Sequence, residues 1–428
     1  MAQSLKIIRL EPRLSRIIII AAALVCVTAS WFSIRWHFAN AVAPTFERQR
    51  PESPLIANWL TEVAPSDPLT HYFAAVVFEK TFDVGDLDRS LLEYELATAA
   101  SPNNYLMWLS LGKARNLSGD TAGAEAAFKR ALALAPNYAA VQWAYGNFLI
   151  RQDKTDEGFV FMTKASATNP EYARSAAVTA LEIFEGDVSL AERALGQSDA
   201  TNAALQTALV TANRPEDAFN AWSRISDDAK SAKYRISTEK FASDLIAAKK
   251  FGLAARVAAA LGGEPAVQGQ IGNGGFESGV KLRNAGLFEW QVAEGGSPQV
   301  GLNESQTHGG KYNLVVIFNS FETAAFRTIS QTVVVVPGAP YELRGFYRSE
   351  VKMSATLRWE IADGTTTATI EKTEPLMPAS GWTQFAVKFT APANGDGVII
   401  RFNREGCSGA SCPTNGTISF DDLSLSRL

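Results

Sequence analysis

Residues 105–136 read YLMWLSLGKARNLSGDTAGAEAAFKRALALAP and contain one complete copy of a pattern that recurs every 34 residues. The pattern ends at Pro136, which belongs to a series of prolines at that spacing. The four members of the series are Pro68, Pro102, Pro136 and Pro170. A fixed period of this length predicts stacked helical hairpins, because one hairpin cannot bury its apolar face without a neighbour.

The small and aromatic positions of this copy resemble the tetratricopeptide consensus W-x2-L-G-x2-Y, then A-x3-F, then A, then P. The matching residues are Trp108, Leu111, Gly112, Ala124, Phe128, Ala131 and Pro136. Arg115 stands where the consensus has Tyr. One shifted copy precedes this one and another follows it, and beyond residue 170 three more divergent hairpins are predicted. The resemblance implies an all-α tetratricopeptide-like solenoid over residues 69–262.

In this family the first helix of each hairpin lines a concave face that binds a segment of a partner protein. The positions that would line this groove here are Tyr72, Glu79, Lys113, Asn116, Trp143, Asn147 and Arg151. They are mixed in charge and lack the Lys and Arg cluster of arrays that clamp a C-terminal carboxylate. The resemblance implies a protein partner, and the alternative is that these residues are only the solvated side of the solenoid.

An uncharged run of 18 residues, 17–34, lies between Arg16 and Arg35. It predicts a single transmembrane helix over residues 17–36, because its length of about 27 Å is close to the thickness of a bilayer core. Positive charge is concentrated before the run, which predicts a cytoplasmic N-terminus at residues 1–16 and an extracytoplasmic location, periplasmic in a bacterium, for the bulk of the chain. The plasma (inner) membrane is therefore the expected location. A cleaved signal peptide is the alternative, although the run is longer than a usual signal core.

The segment 37–68 carries Pro44, Pro51, Pro54, Pro65 and Pro68. Proline interrupts helices, so this segment is predicted to be a linker with one short helix over residues 55–63.

Composition excludes some classes of partner. The formal net charge of −4 over 428 residues gives no electrostatic basis for binding nucleic acid. The three histidines, His37, His71 and His308, lack zinc-ligand spacing. Outside the cell, Cys407 and Cys412 are predicted to form a local disulfide.

The helical pattern stops at a Gly-rich linker, residues 263–274, and the remainder, 275–428, has an all-β pattern. Eight short runs with period-two alternation are separated by turn signals such as Pro337-Gly338 and Asp363-Gly364. This pattern predicts a two-sheet sandwich.

Several phrases of this region resemble the jelly-roll carbohydrate-binding modules of secreted glycosidases. They are Asn273-Gly-Gly-Phe-Glu277, Trp290, Val336-Pro-Gly-Ala-Pro-Tyr341, Trp382 with Phe385, and Phe420-Asp-Asp-Leu-Ser-Leu425. The resemblance implies a structural calcium ion held by Glu277 and Asp421, since hard cations prefer oxygen ligands. The alternative is that these carboxylates only accept hydrogen bonds from the backbone where the two ends of the domain meet.

Sugar binding by such modules depends on aromatic faces that stack on pyranose rings. Tyr347 and Trp359 lie in mid-strand beside charged residues and are expected to line the concave sheet, and Tyr312 is a further candidate. Trp290 and Trp382 lie where the family places core aromatics.

No pair of carboxylates is assigned to glycoside hydrolysis, and none of the common catalytic motifs occurs. The sequence therefore predicts a non-catalytic, membrane-anchored scaffold that binds partner proteins and a polysaccharide during bacterial envelope polysaccharide assembly or export. The alternative is a purely structural adaptor whose sandwich binds protein or acts as a spacer.

Overall fold

The structure, a computed structural model, describes residues 12–49, 54–81, 85–262, 265–320, 326–353, 355–406 and 413–428. In these residues fifteen helices are followed by eleven strands. The helices are α1 (Pro12–Gln49), α2 (Pro54–Val63), α3 (Pro68–Thr81), α4 (Asp86–Ala100), α5 (Tyr105–Ser118), α6 (Thr121–Leu134), α7 (Ala139–Arg151), α8 (Thr155–Thr168), α9 (Glu171–Ile183), α10 (Val188–Leu195), α11 (Asp199–Thr211), α12 (Pro215–Ser223), α13 (Asp227–Ser231), α14 (Arg235–Ala247) and α15 (Phe251–Ala259). The strands are β1 (Gln291–Val292), β2 (Gln299–Asn303), β3 (Asn313–Ser320), β4 (Ile329–Val334), β5 (Pro340–Ser349), β6 (Lys352–Met353), β7 (Thr356–Asp363), β8 (Thr369–Lys372), β9 (Ala379–Thr390), β10 (Gly397–Glu405) and β11 (Thr414–Arg427).

Contacts divide the chain into two compact units, Met1–Thr201 and Asn202–Leu428. The division falls inside α11, whereas the sequence placed a linker at 263–274. The last helices therefore belong to the same unit as the strands, and each unit is described by itself below.

Small residues allow the repeat hairpins of the first unit to close. A methyl group on Gly112 would lie 2.9 Å from the ring of Phe128, and one on Gly146 would lie 2.9 Å from the carbonyl oxygen of Gly158. The helix α5 therefore contacts α6, and α7 contacts α8, at distances that only glycine permits. Gly112 and Gly146, which are 34 residues apart, are thus positions at which the two helices of a hairpin meet.

The first helix is longer than the sequence predicts. It continues past Pro44 to Gln49, whereas the sequence predicts a helix that ends at residue 36 and a linker over residues 37–68. Ala39 is fully buried against Leu60 and Ala64, so packing on α2 supports the helix beyond the apolar run. Proline removes one hydrogen bond from a helix, but packing against neighbouring helices offsets that loss. Residues 13–39 have the length and composition of a membrane span, and a signal sequence would meet the same criterion.

Two antiparallel sheets form the sandwich of the second unit. The first sheet has the order β1-β4-β10-β7-β8, and the second has the order β2-β3-β11-β5-β9 with β6 beside β11. Their facing side chains make one apolar core that includes Trp290, Trp359, Phe402 and Phe420. Three short strands, β2, β6 and β8, were not predicted, because they carry few of the large apolar residues that mark a strand in the sequence.

Residues 265–275 are packed on the sandwich, in contrast to the linker that the sequence predicts there. The amide of Gly269 donates to Val334 O at 2.7 Å, and the carbonyl oxygen of Gly274 accepts from Leu423 at 3.0 Å. Gln331 donates to Gly272 O at 2.9 Å. Glycine suits this segment because the backbone lies against the strands: a methyl group on Gly274 would lie 1.9 Å from Leu423 O.

The last helix is joined to the first sheet at its N-terminus. Both carboxylate oxygens of Asp396 accept from this end of α15, from Phe251 N at 2.9 Å and Gly252 N at 2.8 Å. The Phe251 ring is 2% exposed and packs on Val334. Gly364 and Gly397 make room for that ring, since a methyl group on Gly397 would lie 2.4 Å from it. An acidic cap and a buried aromatic ring thus hold α15 to the strands.

Candidate functional site

The outer face of the second sheet carries a group of partly exposed rings, which we call the aromatic surface: His308, Phe346 and Trp382. The imidazole of His308 stacks on Phe346 with ring centroids 3.7 Å apart, and it meets the indole of Trp382 edge-on at 5.8 Å. Phe346 lies on β5, and Trp382 lies on the neighbouring strand β9. All three rings are partly exposed to solvent.

Polar groups surround these rings. The indole N–H of Trp382 donates to Gln306 O at 3.0 Å, and Arg348 donates to the side chain of Gln306. Nδ1 of His308 lies 2.6 Å from a carboxylate oxygen of Asp422. Apolar ring faces bordered by amide, guanidinium and carboxylate groups provide the two kinds of contact that a sugar ring needs, stacking on its C–H face and hydrogen bonds to its hydroxyls.

Two carboxylates hold the loop 304–312, which carries His308. Asp421 is fully buried and accepts from His308 N at 2.8 Å and Gly309 N at 3.1 Å. Glu277 accepts from Lys311 N at 2.9 Å and Tyr312 N at 3.0 Å. Burial raises the pKa of Asp421, and its backbone hydrogen bonds act in the opposite direction.

The same two carboxylates were expected to bind calcium. Each of their four oxygens accepts a hydrogen bond from a backbone N–H; the remaining two bonds run from Asp422 N to Asp421 and from Lys311 N to the second oxygen of Glu277. Within the described residues, no group of three acidic, histidine or cysteine side chains is arranged to hold a metal ion. The backbone N–H groups account for the position of both carboxylates, and the calcium ion that the family resemblance implies stays a prediction.

The structure corrects the expectation for Tyr347 and Trp359. Trp359 is fully buried and Tyr347 is 6% exposed, and both belong to the core between the sheets. The charged neighbours of these rings in the sequence favour a surface position. In a strand, successive side chains point to opposite faces, so a charged neighbour such as Arg358 instead places Trp359 on the inner face.

The same alternation would have identified Trp382, which the sequence analysis assigned to the core. Phe385 and Phe389 on β9 are buried. Trp382 is three residues from Phe385 and therefore points to the opposite face. The expectation for Trp290 was correct, since this ring is 2% exposed within the core.

Tyr312 is half-buried on the loop 304–312. The ammonium of Lys311 lies 4.8 Å from the centroid of its ring and donates to its hydroxyl at 2.9 Å. One ring face is therefore occupied by a cation. Tyr312 is a weaker stacking candidate than the aromatic surface.

The groove candidates of the first unit differ in the exposure of their side chains and in the contacts that they make within the array. Lys113 and Arg151 are exposed, whereas Asn116 is half-buried. Trp143 stacks on Tyr172 with centroids 5.0 Å apart.

The other three candidates are engaged within the array. Glu79 accepts from the hydroxyl of Tyr94 at 2.7 Å, and Tyr72 packs edge-on against the same tyrosine. Asn147 donates to Trp143 O at 3.0 Å. The exposed cations of α5 and α7 are thus the groups most available to a partner.

The predicted disulfide partners, Cys407 and Cys412, lie outside the described residues. Among the described residues, Cys26 is a free thiol exposed on α1.

Comparison with known families and structures adds two assignments. The family described as a tetratricopeptide repeat matches residues 116–182, and the family described as a carbohydrate binding domain matches residues 268–411. A search of curated proteins finds none that matches.

Solved structures of both kinds resemble parts of the chain. One described as "CBM4 structure and function" is 15% identical with a TM-score of 0.28, over 37% of this chain and 99% of its own. The CBM22-1 xylan-binding domain of Paenibacillus barcinonensis Xyn10C is 15% identical with a TM-score of 0.24, over 32% of this chain and 85% of its own. MamA from Desulfovibrio magneticus RS-1 is 14% identical with a TM-score of 0.30, over 45% of this chain and 93% of its own. By its family matches, this chain carries a tetratricopeptide-like repeat at residues 116–182 and a carbohydrate-binding-like domain at residues 268–411.

Proposed function

We propose that this chain is a non-catalytic, membrane-anchored adaptor that holds partner proteins on its helical array and binds a glycan on its β-sandwich. The two family matches support protein interaction and carbohydrate binding as the general roles. The finer proposal places the protein in the assembly or export of a bacterial envelope polysaccharide. No catalytic step and no metal ion is assigned to it.

The observation that carries the glycan part is the aromatic surface. Trp382 and Phe346 stand on adjacent strands of one outer sheet face, and His308 fills the space between them. Full burial of a large apolar side chain contributes about 1.5–3 kcal/mol, which corresponds to about tenfold to a hundredfold in affinity. A sugar that covers Trp382 would gain part of this.

Trp382→Ala tests the proposal in the full chain, by affinity electrophoresis or a glycan array. We expect a loss of about tenfold in affinity for the glycan that the unsubstituted protein retains. Lys388→Ala is the matched control, because Lys388 is exposed on the same strand and on the same face. Equal binding by Trp382→Ala and Lys388→Ala would refute the assigned surface.

Membrane anchoring rests on α1. Residues 13–39 form a 27-residue span with a mean hydropathy of 2.4, and none of its most apolar window is buried in the protein. We propose that this helix crosses the inner membrane with the N-terminus in the cytoplasm, because the basic residues precede the span. Full-length protein should float with vesicles in a density gradient and resist alkaline extraction; soluble protein after alkaline treatment would contradict the anchor.

The protein-binding part rests on the exposed cations of the array. Charge reversal at Lys113 and Arg151 should weaken capture of an identified partner, while reversal at Arg193, which is exposed on α10 and outside the groove positions, should not. Partner capture without any glycan binding would favour the alternative function, an adaptor whose sandwich binds protein or acts as a spacer.

A further inference from the structure

The short helix α2 has an exposed apolar face that the helical array does not cover. Leu55 is 80% exposed and Trp59 is 44% exposed, and residues four apart lie on the same face of a helix. The opposite face is buried through Ala57 and Leu60, at 2% and 3% exposure. Glu62, near its C-terminal end, is the one charged residue of α2.

This face adjoins the end of the apolar span of α1. The ring of Trp59 meets that of Phe38 edge-on, with centroids 5.8 Å apart. Arg35 donates to Glu62 O at 2.9 Å, and its guanidinium also lies 5.7 Å from the ring of Trp31. A cation is favoured at the C-terminal end of α2 by the helix dipole.

The length of the span places this junction in the headgroup layer. Twenty-seven residues of helix extend for about 40 Å, whereas the hydrocarbon core is about 30 Å thick and the whole bilayer about 40–45 Å. The last turns of the span therefore extend beyond the hydrocarbon. Trp36 and Phe38 are 43% and 48% exposed there, at the level where tryptophan is enriched in membrane proteins.

We propose that α2 lies in the membrane–water interface and binds the lipid surface through Leu55 and Trp59. The proposal rests on the proposed function, in which α1 spans the membrane. Lipid is the occupant because this face is continuous, through Phe38, with the exposed apolar surface of α1. An amphipathic helix of this kind buries its apolar face about 5–10 Å into the headgroup and acyl boundary.

The consequence concerns the array. Ala57 of α2 packs with Ala74 and Phe78 of α3, so the first repeat helix is held against a helix that lies on the bilayer. The start of the array is then fixed by two contacts with the membrane, one that crosses it and one that lies on it.

The test uses full-length protein in phospholipid vesicles in which bromine atoms on the acyl chains quench tryptophan fluorescence. Trp59→Phe should remove part of the tryptophan fluorescence. That part should be quenched more by bromine near the headgroup than by bromine near the chain end. Trp108→Phe, a half-buried position of the array, is the matched control and should leave the quenched component unchanged.

Each outcome has a distinct meaning. If the protein floats with the vesicles and Trp31 and Trp36 are quenched, but Trp59→Phe changes nothing, the interfacial helix is refuted and the anchor stands. If neither flotation nor quenching occurs, the anchor itself fails. If Trp59 is shielded from an aqueous quencher yet untouched by brominated lipid, a protein or a second copy covers this face, and the lipid assignment is overturned.

Discussion

At the scale of single residues, the side chains with most consequence are those whose direction differs from what their neighbours in sequence suggest. Trp359 and Trp382 are both tryptophans on strands, yet the first fills the core and the second stands on the surface. Tryptophan is compatible with both positions, so residue type does not distinguish them. Only the parity does, that is, whether the residue lies an even or an odd number of positions from a core residue of the same strand. Parity can be determined from the sequence, whereas the stacking of His308 on Phe346 cannot, because the loop that carries His308 is positioned by Asp421, more than 100 residues away.

Alanine substitution of the two tryptophans should have different effects on stability and on glycan binding. Trp359→Ala should lower the free energy of unfolding by about 3–5 kcal/mol, because it empties a large volume of a packed core. Trp382→Ala should leave stability within about 1 kcal/mol and affect glycan binding alone. Thermal or denaturant unfolding of the full chain measures both, and a destabilised Trp382→Ala variant would contradict its position on the surface.

His71 predicts a pH dependence of the first unit. This ring is 6% exposed, with Nδ1 at 2.6 Å from Glu93 and Nε2 at 2.9 Å from Pro65 O. The hydrogen bond to Glu93 raises the pKa of His71 above its ordinary value of 6.5, while burial opposes the shift and the bond to Pro65 O and the charge of Asp67 support it. A group whose pKa is raised in the folded state stabilises the fold below its unfolded pKa and loses this contribution as pH rises through the folded pKa.

The unfolding temperature of the first unit should therefore be higher near pH 5.5 than near pH 8, and the difference should shrink in His71→Gln. Because other groups also titrate, the comparison between the two proteins carries the result. If the two proteins differ in unfolding temperature by the same amount near pH 5.5 and near pH 8, His71 and Glu93 do not form a charged pair.

The hydrogen bonds of Glu277 predict that the carboxylates that hold the loop 304–312 stabilise the second unit. Glu277→Gln removes the negative charge that accepts from Lys311 N and Tyr312 N and replaces one of the two acceptor oxygens with an NH2 group; because Glu277 is exposed, the loss of stability should be about 0.5–1.5 kcal/mol. The loss should be the same with and without a calcium chelator. A chelator-dependent unfolding temperature in the unsubstituted protein would instead support the calcium ion that the family resemblance implies.

At the scale of elements, the regular parts of the chain could be predicted and the irregular parts could not. The 34-residue period identifies the hairpins because the positions of closest helix contact demand small residues, such as Gly112 and Gly146. The long strands follow from alternation. The continuation of α1 beyond Pro44 and the packing of residues 265–275 depend on tertiary contacts, such as Ala39 with Leu60, that no local pattern records.

The attachment of α15 to the first sheet predicts a position-specific effect of glycine substitution. Gly397→Ala should displace the Phe251 ring and lower the stability of the second unit by about 1–3 kcal/mol, the usual cost of overpacking. Gly381→Ala is the control, because no atom lies within 4 Å of its added methyl group. Equal unfolding temperatures for the two variants would show that the Phe251 ring does not lie against Gly397.

At the scale of the whole molecule, the fold class could be predicted from the sequence, whereas the contacts between the last helices and the strands could not. The sequence predicts a helical array and a β-sandwich separated at residues 263–274, because the hydrophobic pattern changes there from helical periodicity to alternation. The compact unit begins instead at Asn202, because Phe251 and Asp396 join the last helices to the strands. Composition marks where secondary structure changes, whereas long-range contacts join helices to strands across that boundary.

The Asp396 cap gives the sandwich a fixed frame of reference. Because Asp396 lies immediately before β10 and accepts from the first amides of α15, the orientation of this helix is coupled to that of the first sheet. Loss of this cap would free α15 to rotate relative to the first sheet.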